Sequence, residues 1–185
     1  FGPCLQWFEP QRVVSVACAG SGHHYRDPRG DMYENEDTTV TLCRLSGGGL
    51  IKLRLDMLSE RPHNMTYYSL QGTRGCYEAA RGLGDVPKIW LADRCEDKNC
   101  WLPLEDFTEE FLPEHLLNPP QEALQAGHWG GDYWEIQDFV STVLKGHEPP
   151  VGLHQALDMT LPGLASQISI AEGSAWVDVP DSREW

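Results

Sequence analysis

The sequence has no long apolar run. Nowhere do its 185 residues approach the roughly 18 consecutive apolar side chains of a membrane-spanning helix. The start of the chain also lacks the pattern of a secretory signal. We therefore expect no membrane partner and predict a cytoplasmic location. The chain begins at Phe1, without an initiator methionine, in what reads as the remainder of a helix, so we expect a fragment of a longer polypeptide.

Basic residues are scarce as well. Fourteen lysines and arginines stand against 28 aspartates and glutamates, which gives a net charge of -14. Such a chain repels a phosphate backbone, and no local basic stripe offsets this, so we expect no nucleic-acid partner. The hydrophobic content of 41% is ordinary for one globular domain with a real core.

Several sequence motifs that carry chemistry are missing. No glycine-rich dinucleotide or nucleoside triphosphate loop is present, so we expect this chain alone to hold no cofactor. The common zinc-hydrolase and serine-hydrolase motifs are absent too. The six cysteines are scattered, and only Cys95 and Cys100 lie close together. Free thiols are favoured, and a Cys95–Cys100 disulfide is the remaining alternative.

Alternating apolar and polar residues predict strands. The best hairpin joins residues 37–45 to residues 50–58 through three glycines that permit a tight reversal. In its second arm Ile51, Leu53 and Leu55 point one way, while Lys52 and Arg54 point the other. Further strands are predicted over residues 12–19, 65–71, 76–78, 88–91 and 175–180. Residues 92–126 read as a long irregular connection with one or two short helical turns.

Two helices are predicted near the end of the chain. Apolar residues from Tyr133 to Leu144 have helical spacing, with Asp132 expected as the N-cap and Gly146 closing the helix. A second helix begins near Gly152 and should kink at Pro162. With the strands, these helices predict an α+β fold: an open, mainly antiparallel sheet with helices packed on one face, a two-layer sandwich.

Histidines beside glycines and arginines are the candidate functional residues. They lie in three places: His24 in a glycine-rich loop, His63 next to Arg61, and His128 in a helix entry with Asp132 and Tyr133. Histidine exchanges protons near neutral pH and arginine donates several hydrogen bonds, which suits a polyhydroxylated or acidic ligand. The alternative for each histidine is a loop-capping or solvated role. Their spacing predicts no metal site.

Several segments together resemble one known family. Residues 61–75, followed by residues 76–78 and 88–91, are similar to the sheet domain of Gfo/Idh/MocA-type oxidoreductases. Residues 128–133, 138–140, 156–160 and 169–173 resemble the C-terminal helices of the same domain. The likeness covers nearly the whole chain. It is strongest for the branch that includes NAD-dependent glycosidases of the alpha-N-acetylgalactosaminidase kind.

The resemblance implies that the full-length protein has two domains with different roles. An N-terminal Rossmann domain would hold NAD or NADP, and this chain would be the C-terminal domain that shapes the substrate pocket and forms a homodimer or higher oligomer through its sheet. The catalytic residues of the family would lie upstream of Phe1. The resemblance also implies that the substrate is a sugar, cyclitol or glycoside, with His24, Arg61, His63, His128, Asp132 and Tyr133 on the substrate side.

Three alternatives stay open at this point. The full-length protein could be a glycosidase that works by transient oxidation. The domain could instead serve as a non-catalytic sugar-binding or assembly module. Finally, the chain could be a self-standing hydrolase with a carboxylate pair among Asp27, Asp31, Glu34 and Glu36.

Overall fold

The structure, a computed structural model, describes residues 1–59, 66–82 and 84–185. These residues form two compact units. The first unit runs from Phe1 to the gap at residues 60–65 and resumes at Lys145, and the second lies between the gap and Leu144. Each unit contains one four-stranded sheet, so the strands form two open antiparallel sheets rather than one, with helices. The predicted α+β class is confirmed.

The sheet of the first unit is built on the predicted hairpin. Its strands are β1 (Val13–Gly20), β2 (Thr38–Leu45), β3 (Leu50–Asp56) and β8 (Val177–Asp178), in the order β3-β2-β1-β8. The helices of this unit are α1 (Gly2–Trp7) and α6 (Leu153–Ala171).

Helix α6 packs on the face of this sheet that carries the buried side chains. Val16 pairs with Cys43, and Cys43 pairs with Ile51, so these three side chains share that face and lie in the core. Burial raises the pKa of the Cys43 thiol to about 12, which keeps it protonated and inert. All six cysteines are free thiols, as predicted. Helix α6 is continuous through the buried Pro162.

The second unit holds the shorter strands. Their order is β4-β5-β6-β7, with bounds β4 (Ser69–Gln71), β5 (Gly75–Glu78), β6 (Lys88–Leu91) and β7 (Leu102–Pro103). Its helices are α2 (Thr108–Phe111), α3 (Glu114–Leu117), α4 (Gln121–Gln125) and α5 (Gly131–Lys145). The connection over residues 92–126 is therefore more ordered than predicted. It supplies the edge strand β7, a 3₁₀ turn and three short helices.

The start of α5 corrects one prediction. Asp132 is not the N-cap: the helix begins at Gly131, and Asp132 lies inside its first turn. A 3₁₀ turn, His128–Gly130, precedes the helix. None of the helices in the described parts of the chain is both long and apolar enough to cross a bilayer.

Candidate functional site

The predicted site residues fall into three groups. His128, Asp132 and Tyr133 lie together in the second unit, at the start of α5. His24 lies in the first unit, in the loop before β2. Arg61 and His63 lie outside the described residues, so their placement stays a prediction.

A left-handed turn positions His128. His128, Trp129 and Gly130 have φ values of 51°, 55° and 94°, a conformation that only glycine adopts without cost. Gly130 is buried against α4, where a Cβ atom would lie 3.0 Å from the carbonyl oxygen of Ala123. Strain of this kind persists only where the surroundings enforce it, and it is concentrated at functional sites.

The turn brings two predicted residues into direct contact. Nδ1 of His128 lies 2.7 Å from Oδ1 of Asp132. An ionised carboxylate only accepts hydrogen bonds, so the proton of a neutral His128 ring lies on Nδ1 and Nε2 is left as an acceptor. The other carboxylate oxygen of Asp132 lies over Gly127, where no side chain interferes. His128 and Asp132 are exposed, with 71% and 52% of their side chains accessible.

Aromatic residues adjoin this pair in the sequence. Trp129 is 89% exposed beside His128. Tyr133 makes an edge-to-face contact with Trp134 at 5.0 Å, and Trp134 makes a second one with His115 at 4.8 Å. An exposed ring such as that of Trp129 can stack on the apolar face of a sugar while nearby polar atoms bond its hydroxyls.

His24 has a different partner. Oδ2 of Asp37 accepts hydrogen bonds from the backbone N–H of His24, at 2.5 Å, and from its ring Nδ1, at 2.7 Å. The His24 ring is two-thirds exposed, whereas Asp37 is 4% exposed. In the sequence, only its place at the start of a predicted strand distinguished this buried carboxylate.

A second network in the second unit was not predicted. The hydroxyl of Tyr67 donates to Glu78, and Oγ of Ser69 donates to the same carboxylate at 2.7 Å. Nε of Arg81 donates to the Tyr67 hydroxyl at 3.0 Å. The hydrogen bond from Tyr67 lowers the pKa of Glu78, with Ser69 adding to the effect. The cross-strand pairing of Ser69 with Glu78 builds this network, and pairing across strands cannot be read from one sequence.

Four carboxylates were candidates for a hydrolase pair, and two of them, Asp27 and Glu36, make hydrogen bonds within the loop. Asp27 accepts from the backbone of Arg29 and Asp31 and from the Arg29 side chain. The bond from that side chain lowers the pKa of Asp27, which makes it a poor proton donor near neutral pH. Glu36 accepts from the backbone N–H of Gly22. These contacts argue against Asp27 and Glu36 as members of a hydrolytic pair.

Comparison with known families gives one match over most of the chain. Residues 17–184 match the model for the C-terminal domain of glycosyl hydrolase 109. The family resemblance drawn from the sequence is thereby confirmed for the C-terminal domain of the glycosidase branch.

Two curated proteins are similar to the chain in sequence. A glycosyl hydrolase family 109 protein of Solibacter usitatus is 28% identical over 160 residues, which are 84% of this chain and 34% of that protein. An alpha-N-acetylgalactosaminidase of Tannerella forsythia is 25% identical over 145 residues, which are 78% of this chain and 30% of that protein. The chain thus spans about a third of the length of these relatives.

A solved structure shares the fold. Levoglucosan dehydrogenase, in complex with NADH and levoglucosan, aligns with a TM-score of 0.69 at 19% identity. The alignment covers 91% of this chain and 45% of the dehydrogenase.

Proposed function

Because the chain belongs to the family of glycosyl hydrolase 109 C-terminal domains, we propose that it is the substrate-binding and dimerising domain of an NAD(P)-dependent oxidoreductase acting on a sugar, cyclitol or glycoside. The similarity to a levoglucosan dehydrogenase fold and to glycosidase sequences supports this proposal. The relatives are about three times longer than the matched region, which leaves room in such proteins for a cofactor-binding domain.

The described residues do not fit a dinucleotide by themselves. Both sheets are antiparallel over residues 1–59, 66–82 and 84–185, so this part of the chain lacks the parallel strand–helix–strand unit whose helix start receives a pyrophosphate. We therefore assign NAD or NADP to a separate domain of the full-length protein.

The contact between His128 and Asp132 carries the proposal. The carboxylate holds the ring in one orientation, with Nε2 free to accept a hydrogen bond from a substrate hydroxyl. Trp129, almost fully exposed beside the ring, offers a flat surface for the apolar face of the same sugar. Both side chains project from one strained turn, which Gly130 holds against α4.

A second candidate function is glycoside cleavage by transient oxidation. The relative named alpha-N-acetylgalactosaminidase favours it. Both functions use the domain in the same way, to orient a sugar. They differ in what the full-length protein releases, so a product assay separates them: an oxidised sugar with equimolar reduced cofactor, or a free sugar without net cofactor reduction.

Sugar binding by the chain tests the site directly. We expect N-acetylgalactosamine and levoglucosan, titrated at millimolar concentration, to shift the backbone amide signals of residues 128–133 in the NMR spectrum. His128→Ala should weaken binding by about tenfold, because the sugar loses the hydrogen bond to Nε2 and the turn loses the contact between His128 and Asp132.

The matched control is His147→Ala. That exposed histidine lies after α5, and its ring is 2.8 Å from the carbonyl oxygen of Glu148. It should leave sugar binding unchanged. Equal affinities in wild type and His128→Ala, or sugar-induced shifts confined to other residues, would remove His128 from the substrate site.

A further inference from the structure

Helix α5 exposes its apolar side. Its large aliphatic and phenylalanine side chains have the spacing of one helical face, and each is between 41% and 79% exposed. They are Ile136, Phe139, Val140, Val143 and Leu144, and we call them the α5 stripe. No residue of α5 is buried. A contiguous exposed apolar surface of this kind marks an interaction site on a globular domain.

The polar side of α5 is the more buried one. Trp134, Ser141 and Thr142 are spaced by seven and eight positions, so they share the side opposite the α5 stripe, and all three are partly buried. The indole of Trp134 packs against His115 of α3, with 4.8 Å between the ring centres. The hydroxyl oxygen of Thr142 is inaccessible to solvent. An amphipathic helix normally buries its apolar side, so this reversed orientation indicates a cover for the α5 stripe that the described residues do not supply.

The α5 stripe starts next to the proposed sugar site. Asp132 and Ile136 are four positions apart in α5, so they lie on the same side of the helix. His128 contacts Asp132, and from Ile136 the stripe extends along the helix for roughly 12 Å, at about 1.5 Å per residue. A partner that covers the α5 stripe therefore also borders the pair of His128 and Asp132.

The chemistry of hydride transfer indicates which partner must reach this position. The substrate carbon and the nicotinamide have to lie about 3–3.5 Å apart when a hydride moves between them. A sugar held by His128 and Trp129 therefore requires the cofactor-binding domain beside the start of α5. The matched regions are 34% and 30% of the two curated relatives, so such proteins have the length for that domain.

A second copy of the chain fits the α5 stripe less well. Glu135 precedes Phe139 by four positions and borders the stripe, as does Asp132, and residues 99–144 contain no lysine or arginine. In a two-fold contact through α5, each copy would bring these carboxylates toward those of the other, and like charges repel. A different domain can place lysine or arginine opposite Glu135.

We propose that the α5 stripe is the surface on which the cofactor-binding domain of the full-length protein packs. The proposal rests on the proposed function, which assigns NAD or NADP to a separate domain. The surface that meets the stripe is apolar, with a lysine or arginine near Glu135. Contact along α5 holds that domain beside His128, where the sugar lies.

Cysteine labelling of the isolated chain and of the full-length protein tests the proposal. Phe139→Cys places a thiol in the α5 stripe, and the matched control Phe111→Cys places one on α2, where the phenylalanine is similarly exposed. Mass spectrometry of the labelled peptides separates each new thiol from the six native ones. In the isolated chain both should react with N-ethylmaleimide at similar rates. In the full-length protein Phe139→Cys should react at least about tenfold more slowly, because a covered thiol reacts only when the domains separate, and the control should be unchanged.

A charge in the α5 stripe gives a second test. Phe139→Glu should leave the melting temperature of the isolated chain unchanged, because the side chain is exposed there. In the full-length protein the same change should lower the melting temperature by at least about 3 °C, because it buries an unpaired carboxylate between the domains. Phe111→Glu makes the same change on α2 and should leave both melting temperatures unchanged.

The proposal is overturned if Phe139→Cys reacts as fast in the full-length protein as in the isolated chain, or if Phe139→Glu leaves both melting temperatures unchanged. Slow labelling of Phe139→Cys already in the isolated chain would also overturn it, because a second copy would then cover the stripe. A full-length protein with no second domain would overturn both proposals. Activity otherwise separates them: a protein that protects Phe139→Cys but does not act on sugars with NAD or NADP keeps the interface and loses the proposed function, and an active protein with an unprotected Phe139→Cys does the reverse.

Discussion

At the scale of single residues, Ser169 joins the C-terminal helix to the first sheet. It is fully buried in α6, and its Oγ accepts from the backbone N–H of Cys18 at 2.9 Å, across 151 positions of sequence. The same hydroxyl donates to the carbonyl oxygen of Ala175 at 2.5 Å. Strand β8 pairs with β1 at Ser15 and Val16 and ends there. Beyond that end, the Ser169 hydroxyl accepts the hydrogen bond from the Cys18 N–H, which no neighbouring strand accepts among the described residues.

We expect Ser169→Ala to destabilise the fold by about 1–3 kcal/mol, because the buried N–H of Cys18 loses its acceptor and the Ala175 carbonyl loses a donor. The control is Ser166→Ala, one turn earlier in α6 and also buried. Its hydroxyl bonds only to the Pro162 carbonyl of its own helix, so the change should cost less than about 1 kcal/mol. Urea unfolding measures both. Equal costs for the two variants would contradict the role given to Ser169.

At the scale of elements, the hairpin of the first sheet depends on a glycine in its turn. Gly48 connects β2 to β3 with φ at +91°, and the space around it is open. Its need for glycine is therefore conformational rather than steric. Gly163 offers the opposite case: it lies inside α6, and a Cβ there would meet nothing within 4 Å.

We expect replacement by alanine to have opposite effects on stability at these two positions. Gly48→Ala should destabilise by about 1–2 kcal/mol, because alanine is strained at positive φ. Gly163→Ala should stabilise by about 0.5–1 kcal/mol, because alanine loses less conformational freedom than glycine in a helix. Thermal melting of both variants gives the comparison. The same sign for both would show that backbone conformation does not govern these positions.

The sequence predicted the elements whose patterns are local. The hairpin, the strand Lys88–Leu91 and both C-terminal helices formed close to their expected bounds, because alternation, helical spacing and turn glycines act over a few residues. The sequence did not show that the strands divide between two sheets. Pairing partners far apart in the chain leave no periodic signal. The edge strand Leu102–Pro103 was missed for the same reason.

The candidate site follows the same rule. His128 and Asp132 are four positions apart and meet across one turn, so their association was visible in the sequence. The pairing of His24 with Asp37 spans 13 positions and a loop, and it was not predicted. Tyr67, two residues before β4, meets Glu78 of β5 only because β4 and β5 pair. Local contacts are therefore predictable here, and contacts made by folding are not.

At the scale of the whole molecule, the described residues of the first unit place a helix, α6, on one face of its sheet and none on the other. Val40, Leu42 and Leu50 lie on the face opposite α6 and are 40%, 38% and 61% exposed. On the same face Arg44 lies over the ring of Trp176, 4.0 Å from its centre. Lys52 and Arg54 lie opposite Leu42 and Val40 on this face, so exposed apolar side chains alternate there with cations. Apolar side chains mixed with arginine are found at association surfaces. This mixture supports the proposed homodimer, in which two copies of this face meet about a two-fold axis.

We expect the chain to sediment as a dimer at micromolar concentration, and Leu42→Glu to shift it to monomer. Each dimer would bury two added carboxylates where leucine side chains had met, and the -14 charge of each chain would add repulsion between the copies. Leu124→Glu places the same charge on an exposed leucine of α4, in the second unit, and should leave the dimer intact. A dimer that survives Leu42→Glu would move the interface to another surface. A wild-type chain that stays monomeric at every concentration would contradict the proposed dimerisation of this domain. The face opposite α6 would then need a partner other than a second copy of the chain.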